Sequence, residues 1–282
     1  MTLDSRLAFQ DDPLLLIPLL VLGTVYVLGY LRLVQLGVDL QKRSAFFTLG
    51  YLSLFVALVS PVHTLGEQVL SLHMLQHLLL LLVAPPLLLL SNSMPVLLWG
   101  LPPRERAGVG RIVGRSGPVR SGLRWLTRPL LAWWLFVLSQ WLWHQPAAYQ
   151  LAIENRWLHY AEHLSFFGTA LLFWWPVIGA PPLRSPLTYP GRMLYTFFAW
   201  LPNTFLGAGL ALARSVLYPV YDGQPGLDAY ADQQLAGLLM WVPGDVLFAV
   251  VLLLLVRAFL RHEDRVAERI ERELDRQAQP KW

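Results

Sequence analysis

Residues 70–92 read LSLHMLQHLLLLLVAPPLLLLSN and contain no Asp, Glu, Lys or Arg. About 20 apolar residues make a helix long enough to cross the hydrocarbon core of a bilayer. Further apolar runs occur at about 14–34, 45–63, 129–145, 157–178, 191–213 and 235–256. Unbroken runs such as 78–82 and 252–255 lack the alternation of a β-barrel strand. The sequence therefore predicts an all-α fold, a polytopic integral membrane helical bundle of about seven transmembrane helices.

The composition agrees with residence in a bilayer. Of the 282 residues, 55% are hydrophobic and only 14% are charged, whereas about 25% of the residues in a soluble domain are charged. The net charge of +4 comes from clusters between the apolar runs, so we expect the lipid bilayer, and no nucleic acid, as a partner. There is no cysteine, which excludes disulfides and thiolate metal sites.

The basic residues favour one orientation in the membrane. The loop between the third and fourth runs contains one acid, Glu105, and seven arginines: Arg104, Arg106, Arg111, Arg115, Arg120, Arg124 and Arg128. Lys42 and Arg43 lie between the first and second runs, and Arg184 and Arg192 lie between the fifth and sixth. The other loops are acidic or nearly neutral. Because Lys and Arg collect on the cytoplasmic side, we expect the N-terminus outside and the C-terminus in the cytoplasm.

Two segments outside the apolar runs receive predictions of their own. The Gly- and Arg-rich loop 101–128 is expected to be irregular and to lie against anionic lipid. Beyond the last run the chain carries many charges of both signs, and apolar residues recur every four positions over 266–274, which is typical of a short amphipathic helix. We therefore divide the chain into a transmembrane domain, 1–256, and a charged cytoplasmic tail helix, 257–282.

Six of the seven histidines lie near the outer ends of the predicted transmembrane helices, on the non-cytoplasmic side: His63, His73, His77, His144, His159 and His163. A spacing of four places each of the pairs 73/77 and 159/163 on one face of its helix. The predicted topology places all six at a similar depth, in the outer third of the membrane. Ionisable side chains in a bilayer are costly and usually line a functional cavity, so we predict a metal site. For any one histidine, a hydrogen bond to a neighbouring helix is the alternative.

Four further side chains are candidates for the same region. Met240 could add a thioether, which would favour Cu(I) among the metals that imidazole binds, although methionine in a span often only fills space in the core. Glu162 precedes His163 and could orient an imidazole through a hydrogen bond. Asp245 and Asn203 lie near the middle of their spans. They could form a polar pair at a proline kink or take part in ion transfer.

Several short motifs together resemble a known family. They are HMLQH at 73–77, WHQP at 143–146 followed by Tyr149, HYAEH at 159–163, PVY at 219–221 and MWVPG at 240–244. In this order, over residues 50–256, the chain resembles the polytopic CtaG family of cytochrome c oxidase assembly factors. The resemblance implies a multi-pass protein of the plasma membrane, the inner membrane in bacteria. It also implies a role in the maturation of a haem–copper oxidase and a connection with copper supply.

The residues and the resemblance together predict a membrane accessory factor that binds or delivers copper, with Cu(I) as the expected ion. No bond-making chemistry is required, so we do not expect an enzyme. The expected partners are cytochrome c oxidase subunits or a copper chaperone. Two alternatives stay open at this point. One is a redox protein that binds haem b through two transmembrane histidines; the other is a metal ion transporter with Asp245 and Asn203 on the ion path.

Overall fold

The computed structural model describes residues 9, 11–113, 117–223 and 228–278, and its regular secondary structure within these ranges is helical, without a strand. The α-helices in chain order are α1 (Pro13–Gln35), α2 (Gln41–Leu58), α3 (Pro61–Gly66), α4 (Leu70–Leu78), α5 (Ala84–Leu90), α6 (Met94–Gly100), α7 (Pro103–Val113), α8 (Pro118–Leu126), α9 (Pro129–Trp143), α10 (Pro146–Glu154), α11 (Arg156–Ile178), α12 (Tyr189–Ala211) and α13 (Ala229–Ala278). The predicted all-α fold is confirmed.

Helix length and hydropathy mark the strongest membrane segments. Within the described part of the chain, three helical units are long and apolar enough to cross a membrane: α1, the unit Leu70–Leu90 that contains α4 and α5, and α13. Helix α9 is apolar but shorter. The remaining predicted runs fall largely within α2, α11 and α12. Seven crossings and their orientation stay predictions.

Helix α1 shows the kind of surface that these segments present. It begins after Asp12, whose carboxylate accepts a hydrogen bond from the backbone N–H of Leu14 at 2.9 Å. Pro13 occupies the first helical position, where a missing N–H costs nothing. Leu14, Ile17 and Leu20 are each at least half exposed. Such an apolar surface is costly in water and is expected of a helix that faces lipid.

A π-helical turn, Leu79–Val83, separates α4 from α5. Its physical cause is Pro85, which has no backbone N–H and whose ring would clash with the carbonyl group four residues earlier. That carbonyl, of Leu81, instead accepts a hydrogen bond from the indole N–H of Trp174 at 2.9 Å. The side chain of Trp174 therefore joins α11 to the turn that follows the first histidine pair.

The main hydrophobic core lies among α9, α11, α12, α13 and the π-helical turn. Its largest fully buried members are Phe136 on α9, Phe166, Phe173 and Trp174 on α11, and Phe248 on α13. The rings of Phe136 and Phe173 are stacked with their centroids 4.2 Å apart. Burial of aromatic rings supplies much of the packing energy of a core. The core therefore fixes α9 and α11, which both carry histidines, relative to each other.

Helices α12 and α13 approach closely because small residues lie between them. A Cβ atom added to Gly207 would come within 2.7 Å of the backbone nitrogen of Trp241, and one added to Gly237 would collide with Ala211. Glycines that let two backbones approach are typical of helix contacts in membranes. Helix α13 also packs on α4, so the pair is held beside the helix that bears the first histidine pair.

One prediction about the polar segments needs correction. The loop 101–128 is not irregular throughout, because it contains α7 and α8; residues 114–116 lie outside the described residues. The predicted tail helix is the C-terminal part of α13. Helix α13 continues to Ala278, since no glycine or proline interrupts the sequence after Gly244 in that helix. The predicted boundary at 256 is thus a change of composition within one helix, and residues 279–282 are not described.

Candidate metal centre

The structure brings together all six histidines that were predicted as ligands. They are His63 on α3, His73 and His77 on α4, His144 at the C-terminal cap of α9, and His159 and His163 on α11. Helical spacing explains why each pair shares a face, but the packing of four separate segments is needed to bring the pairs together. All six side chains are at least nine-tenths buried.

The imidazole rings form a continuous set of contacts. Within the pairs, the ring centroids are 4.3 Å apart for His73 and His77 and 4.2 Å apart for His159 and His163. Between helices, the ring centroid of His73 lies 5.2 Å from that of His159, and the ring centroid of His77 lies 5.6 Å from that of His163. His144 extends the set to the end of α9, with its ring 5.4 Å from that of His77. Imidazoles from α4, α9 and α11 therefore share one pocket.

Four side chains make up an inner group, which we define as His73, His77, Glu162 and His163. One possible ligand atom from each lies within 4.8 Å of the others. Glu162 and His73 have no exposed surface, and the other two side chains are at most 4% exposed. Three imidazole nitrogens and one carboxylate oxygen are a donor set that transition metals accept.

The polar atoms of the inner group lack the partners that buried polar atoms normally have. Among the residues described, no hydrogen bond reaches either ring nitrogen of His73, His77 or His163, or either carboxylate oxygen of Glu162. Glu162 Oε1 lies 3.6 Å from His77 Nε2, and Oε2 lies 4.0 Å from His73 Nε2. Both distances are too long for hydrogen bonds. Because about nine in ten buried polar groups are paired, one unpaired atom from each of these four residues fits a bound ion, which would supply the partner of that atom.

Glu162 has a more central position than the sequence predicted. It was expected to orient an imidazole, whereas one of its carboxylate oxygens lies within 4.8 Å of possible ligand atoms of three histidines. In the described part of the chain, the basic side chains within 4.0 Å of its carboxylate are His73 and His77, and no lysine or arginine lies that close. A buried carboxylate without a cation is costly, and a bound metal ion would provide the positive charge.

Two outer histidines have one ring nitrogen already engaged. Nδ1 of His144 lies 2.7 Å from the carbonyl oxygen of Gln140. Since a carbonyl only accepts, Nδ1 carries the proton and the lone pair of the neutral ring is on Nε2. Nδ1 of His63 accepts a hydrogen bond from the side-chain amide nitrogen of Gln76 at 2.8 Å, since an amide nitrogen only donates. The proton of a neutral His63 ring is therefore on Nε2, so of these two only His144 has the arrangement of a metal-binding histidine, which donates its second N–H. Gln76, three residues after His73, was not among the predicted site residues.

Tyrosines that were not predicted as site residues cover the histidines on one side. The ring of Tyr149 lies 5.3 Å from that of His73, and its hydroxyl lies 2.7 Å from the hydroxyl of Tyr221. Tyr221 donates to the carbonyl oxygen of Gly66 at 3.1 Å, so Tyr149 is the donor within the tyrosine pair. Both tyrosines occur in the motifs that carry the family resemblance, and this is the signal that could have identified them.

Asp232 on α13 holds the beginning of α4. Its carboxylate accepts hydrogen bonds from the backbone N–H groups of Leu70 at 2.6 Å and Ser71 at 3.2 Å. These amides have no partner within their own helix, and Val69, the N-cap residue, supplies no side-chain bond. The negative charge also lies at the positive end of the helix dipole. Asp232 thus positions the helix that carries two members of the inner group.

Three other predicted residues lie in different parts of the packing. Met240 belongs to an apolar cluster with Met74, so its role as a sulfur ligand stays a prediction. Asp245 accepts a hydrogen bond from Thr204 at 2.6 Å. The predicted pairing of Asp245 with Asn203 is wrong, since the amide nitrogen of Asn203 has no hydrogen-bond partner within the described ranges. Adjacent residues on a helix point about 100° apart, and Thr204 is the one that faces Asp245.

A polar crevice of about 790 Å³ lies where α1 begins, and His63 and His159 are in its wall. Asp12, also in the wall, forms an ion pair with Arg156 at 3.1 Å and accepts a hydrogen bond from the hydroxyl of Tyr160. The hydrogen bond from Tyr160 is the main cause that lowers the pKa of Asp12 below its usual 3.8. Asp12 therefore carries its negative charge at neutral pH.

Residues 24–262 match the family described as cytochrome c oxidase caa3 assembly factor (Caa3_CtaG). The chain is also similar to an uncharacterised protein of Mycobacterium tuberculosis, at 28% identity over 229 residues that cover 77% of this chain and 34% of that protein. An uncharacterised protein of Mycobacterium leprae is 26% identical over 282 residues, which cover 95% of this chain and 42% of that protein. The chain thus spans less than half the length of these curated relatives. No solved structure matches it.

Proposed function

We propose that this chain, which belongs to the cytochrome c oxidase caa3 assembly factor family, holds a copper ion for the assembly of a haem–copper oxidase. The ligands would come from the inner group, His73, His77, Glu162 and His163. One observation carries the proposal: these four side chains bring possible ligand atoms within 4.8 Å of one another, and the same atoms have no hydrogen-bond partner in the described chain.

Each member of the inner group has a separate part in holding the ion. A neutral imidazole offers a nitrogen lone pair, and Glu162 adds the negative charge that balances a cation. His144 contacts the inner ring of His77 and could take over as a ligand during release. Because these side chains are buried, transfer would proceed by exchange between ligands rather than by escape of a bare ion, which a low-dielectric surrounding opposes.

Copper is favoured by the available donors and by the family. Without cysteine, the chain offers imidazole, carboxylate and thioether, and imidazole suits copper, zinc and iron. The family concerns a cytochrome c oxidase, and haem–copper oxidases need copper during assembly. We propose Cu(I) as the form transferred, and Cu(II) and Zn(II) are the ions with which it should be compared.

We also propose that the protein crosses the plasma membrane seven times, with its N-terminus outside and its C-terminus in the cytoplasm. The coincidence of the apolar runs with helices and the alternation of basic loops support this topology. The histidines would then lie near the outer surface. An oxidase subunit or a copper chaperone could exchange the ion there.

Metal analysis of the detergent-purified protein tests the proposal. After loading with Cu(I) and removal of free ions, the wild type should retain about one copper ion per chain. A variant in which His73, His77, His159 and His163 are all changed to Ala should retain none. His262→Ala, on α13 beyond the last apolar run, is the matched control and should retain as much as the wild type. Helical circular dichroism and a monodisperse elution profile would show that each variant is folded.

Equal copper content in the wild type and the four-histidine variant would refute the metal site. A second measurement concerns the oxidase itself. In cells that lack this protein, the wild-type chain should restore the copper content of the oxidase, and Glu162→Gln should restore less. Full restoration by both chains would separate oxidase assembly from copper binding at this site.

The packing of the rings favours an ion over a haem. Imidazole rings in contact have centroids 4.2 to 6.0 Å apart, and the shortest separations, 4.2 and 4.3 Å within the two helical pairs, leave no room for a macrocycle between those rings. A Soret band with the spectrum of two histidine ligands, obtained from the purified protein, would reverse this preference.

A further inference from the structure

An ion that reaches the inner group has to pass other side chains first, because the inner group is buried. Away from the crevice, the buried ring of Phe166 contacts His77 at 4.6 Å between centroids, and the apolar core continues around Phe166. The polar crevice of about 790 Å³ instead has His63 and His159 in its wall. The crevice thus offers polar side chains to an approaching ion where the core offers none.

The wall of this crevice is acidic. Asp11, Asp12, Glu67 and Glu154 contribute carboxylates, and Arg156 contributes one positive charge. Arg156 is paired with Asp12 at 3.1 Å, so the other carboxylates remain to attract cations. Like charges in a cleft with low-dielectric walls raise the local concentration of an oppositely charged ligand and its association rate.

His63 and His159 form an imidazole pair in the crevice wall. Their rings are nearly parallel, with an interplanar angle of 10° and centroids 5.6 Å apart. His159 is only 5% exposed, and its Nε2 has no hydrogen-bond partner in the described ranges. A buried nitrogen beside an acidic crevice is therefore available to a metal ion, which is an observation independent of the carboxylates.

The same pair is in contact with the inner group. The ring of His159 lies 4.2 Å from that of His163 and 5.2 Å from that of His73. The ring of His63 lies 6.0 Å from that of His163. An ion held by His159 would have a further imidazole beside it before it left. Exchange from ligand to ligand avoids a bare ion in a low-dielectric surrounding.

We propose that the crevice is the entrance of the copper path and that His159, in its wall, is a transit site, which holds the ion before it passes to the inner group. This inference rests on the proposed copper function. The transit site and the inner group differ in what they control. The transit site would set the rate of loading, whereas the inner group would set the copper content at equilibrium.

Loading kinetics test the transit site. Metal-free protein in detergent is mixed with Cu(I) held by a chromogenic chelator, and the loss of the chelator's absorbance is followed. The variant His159→Ala should load at least about tenfold more slowly than the wild type, yet reach the same copper content after long incubation. Glu67→Gln should load more slowly at low ionic strength only. Glu271→Gln, on the exposed end of α13, should load at the wild-type rate.

A wild-type loading rate in His159→Ala would overturn the transit site and leave the inner site standing. Loss of copper at equilibrium in His159→Ala would also overturn it, since His159 would then belong to the resting site. If the wild type itself retains no copper, the proposed function fails.

The absence of cysteine allows a direct test of the entrance. Glu154→Cys places a single thiol in the crevice wall, and Ala147→Cys places one on an exposed position of the same helix, α10, outside that wall. A bulky thiol reagent should slow copper loading about tenfold or more in Glu154→Cys and leave Ala147→Cys at its unlabelled rate. Equal loading before and after labelling of Glu154→Cys would refute the entrance.

Discussion

Replacement of Asp232 by Ala removes the carboxylate that joins α13 to the start of α4. This carboxylate is 4% exposed and accepts hydrogen bonds from two backbone amides, at 2.6 and 3.2 Å. Loss of an N-cap acceptor costs about 0.5–2 kcal/mol, and a buried donor left without a partner costs about 1–3 kcal/mol. With two amides uncovered, we expect the free energy of unfolding to fall by about 2–4 kcal/mol. Asp232→Asn keeps one acceptor oxygen and should lose roughly half as much.

Asp228→Ala is the matched control for this prediction. Asp228 is exposed and accepts hydrogen bonds from the amides of Tyr230 and Ala231 at 3.2 and 3.4 Å. Water can replace these bonds, so the control should lose about 1 kcal/mol or less. Unfolding in detergent can be followed through the fluorescence of the 12 tryptophans. If Asp232→Ala destabilises the protein no more than Asp228→Ala does, the reasoning about the buried cap is refuted.

Three further predictions follow from single contacts. Glu162→Gln should weaken copper binding by about tenfold or more, measured by competition with a chelator; unchanged affinity would remove Glu162 from the ligands. Trp174→Phe loses the bond to the carbonyl of Leu81 and should cost about 1–3 kcal/mol in unfolding free energy. Trp133→Phe is its control, because the indole nitrogen of Trp133 has no partner among the described residues, and an equal cost would contradict the role of the bond. The lowered pKa of Asp12 predicts stability that is present above pH 3.8 and lost as the pH falls through that lowered value. In Asp12→Asn, the melting temperature should no longer fall with pH in this acid range. If the melting temperature of the variant depends on pH as that of the wild type does, the predicted contribution of Asp12 is excluded.

The histidine pairs show which features of the site can be predicted from the sequence. The spacing of His73 and His77, and of His159 and His163, places each pair on one helix face on the evidence of the sequence alone. The apolar runs placed the pairs near the ends of helices. Both inferences use distances of a few residues along one helix, where the backbone geometry is nearly constant. They therefore hold without knowledge of the packing.

Other features of the site depend on residues that are distant in the chain. Asp232 reaches Leu70 across 162 positions, and no local pattern connects the two. Thr204 rather than Asn203 bonds to Asp245 because the rotation of α12 about its own axis decides which residue faces α13. A distortion of the helix after His77 could be expected near Pro85. The hydrogen bond that the indole N–H of Trp174, on another helix, donates to the carbonyl oxygen of Leu81 could not.

The sequence alone determined three properties of this protein. The hydropathy of the apolar runs predicted that it is helical and that its helices suit a membrane, and the four-residue spacing of the histidines predicted which of them share a helix face. These properties arise within single segments, where backbone geometry and side-chain polarity act directly. The tertiary structure decided that Glu162 lies among three imidazoles and that Asp232 caps a distant helix. Such contacts depend on how large apolar surfaces of different helices fit together, and many arrangements of those surfaces are compatible with the same one-dimensional pattern.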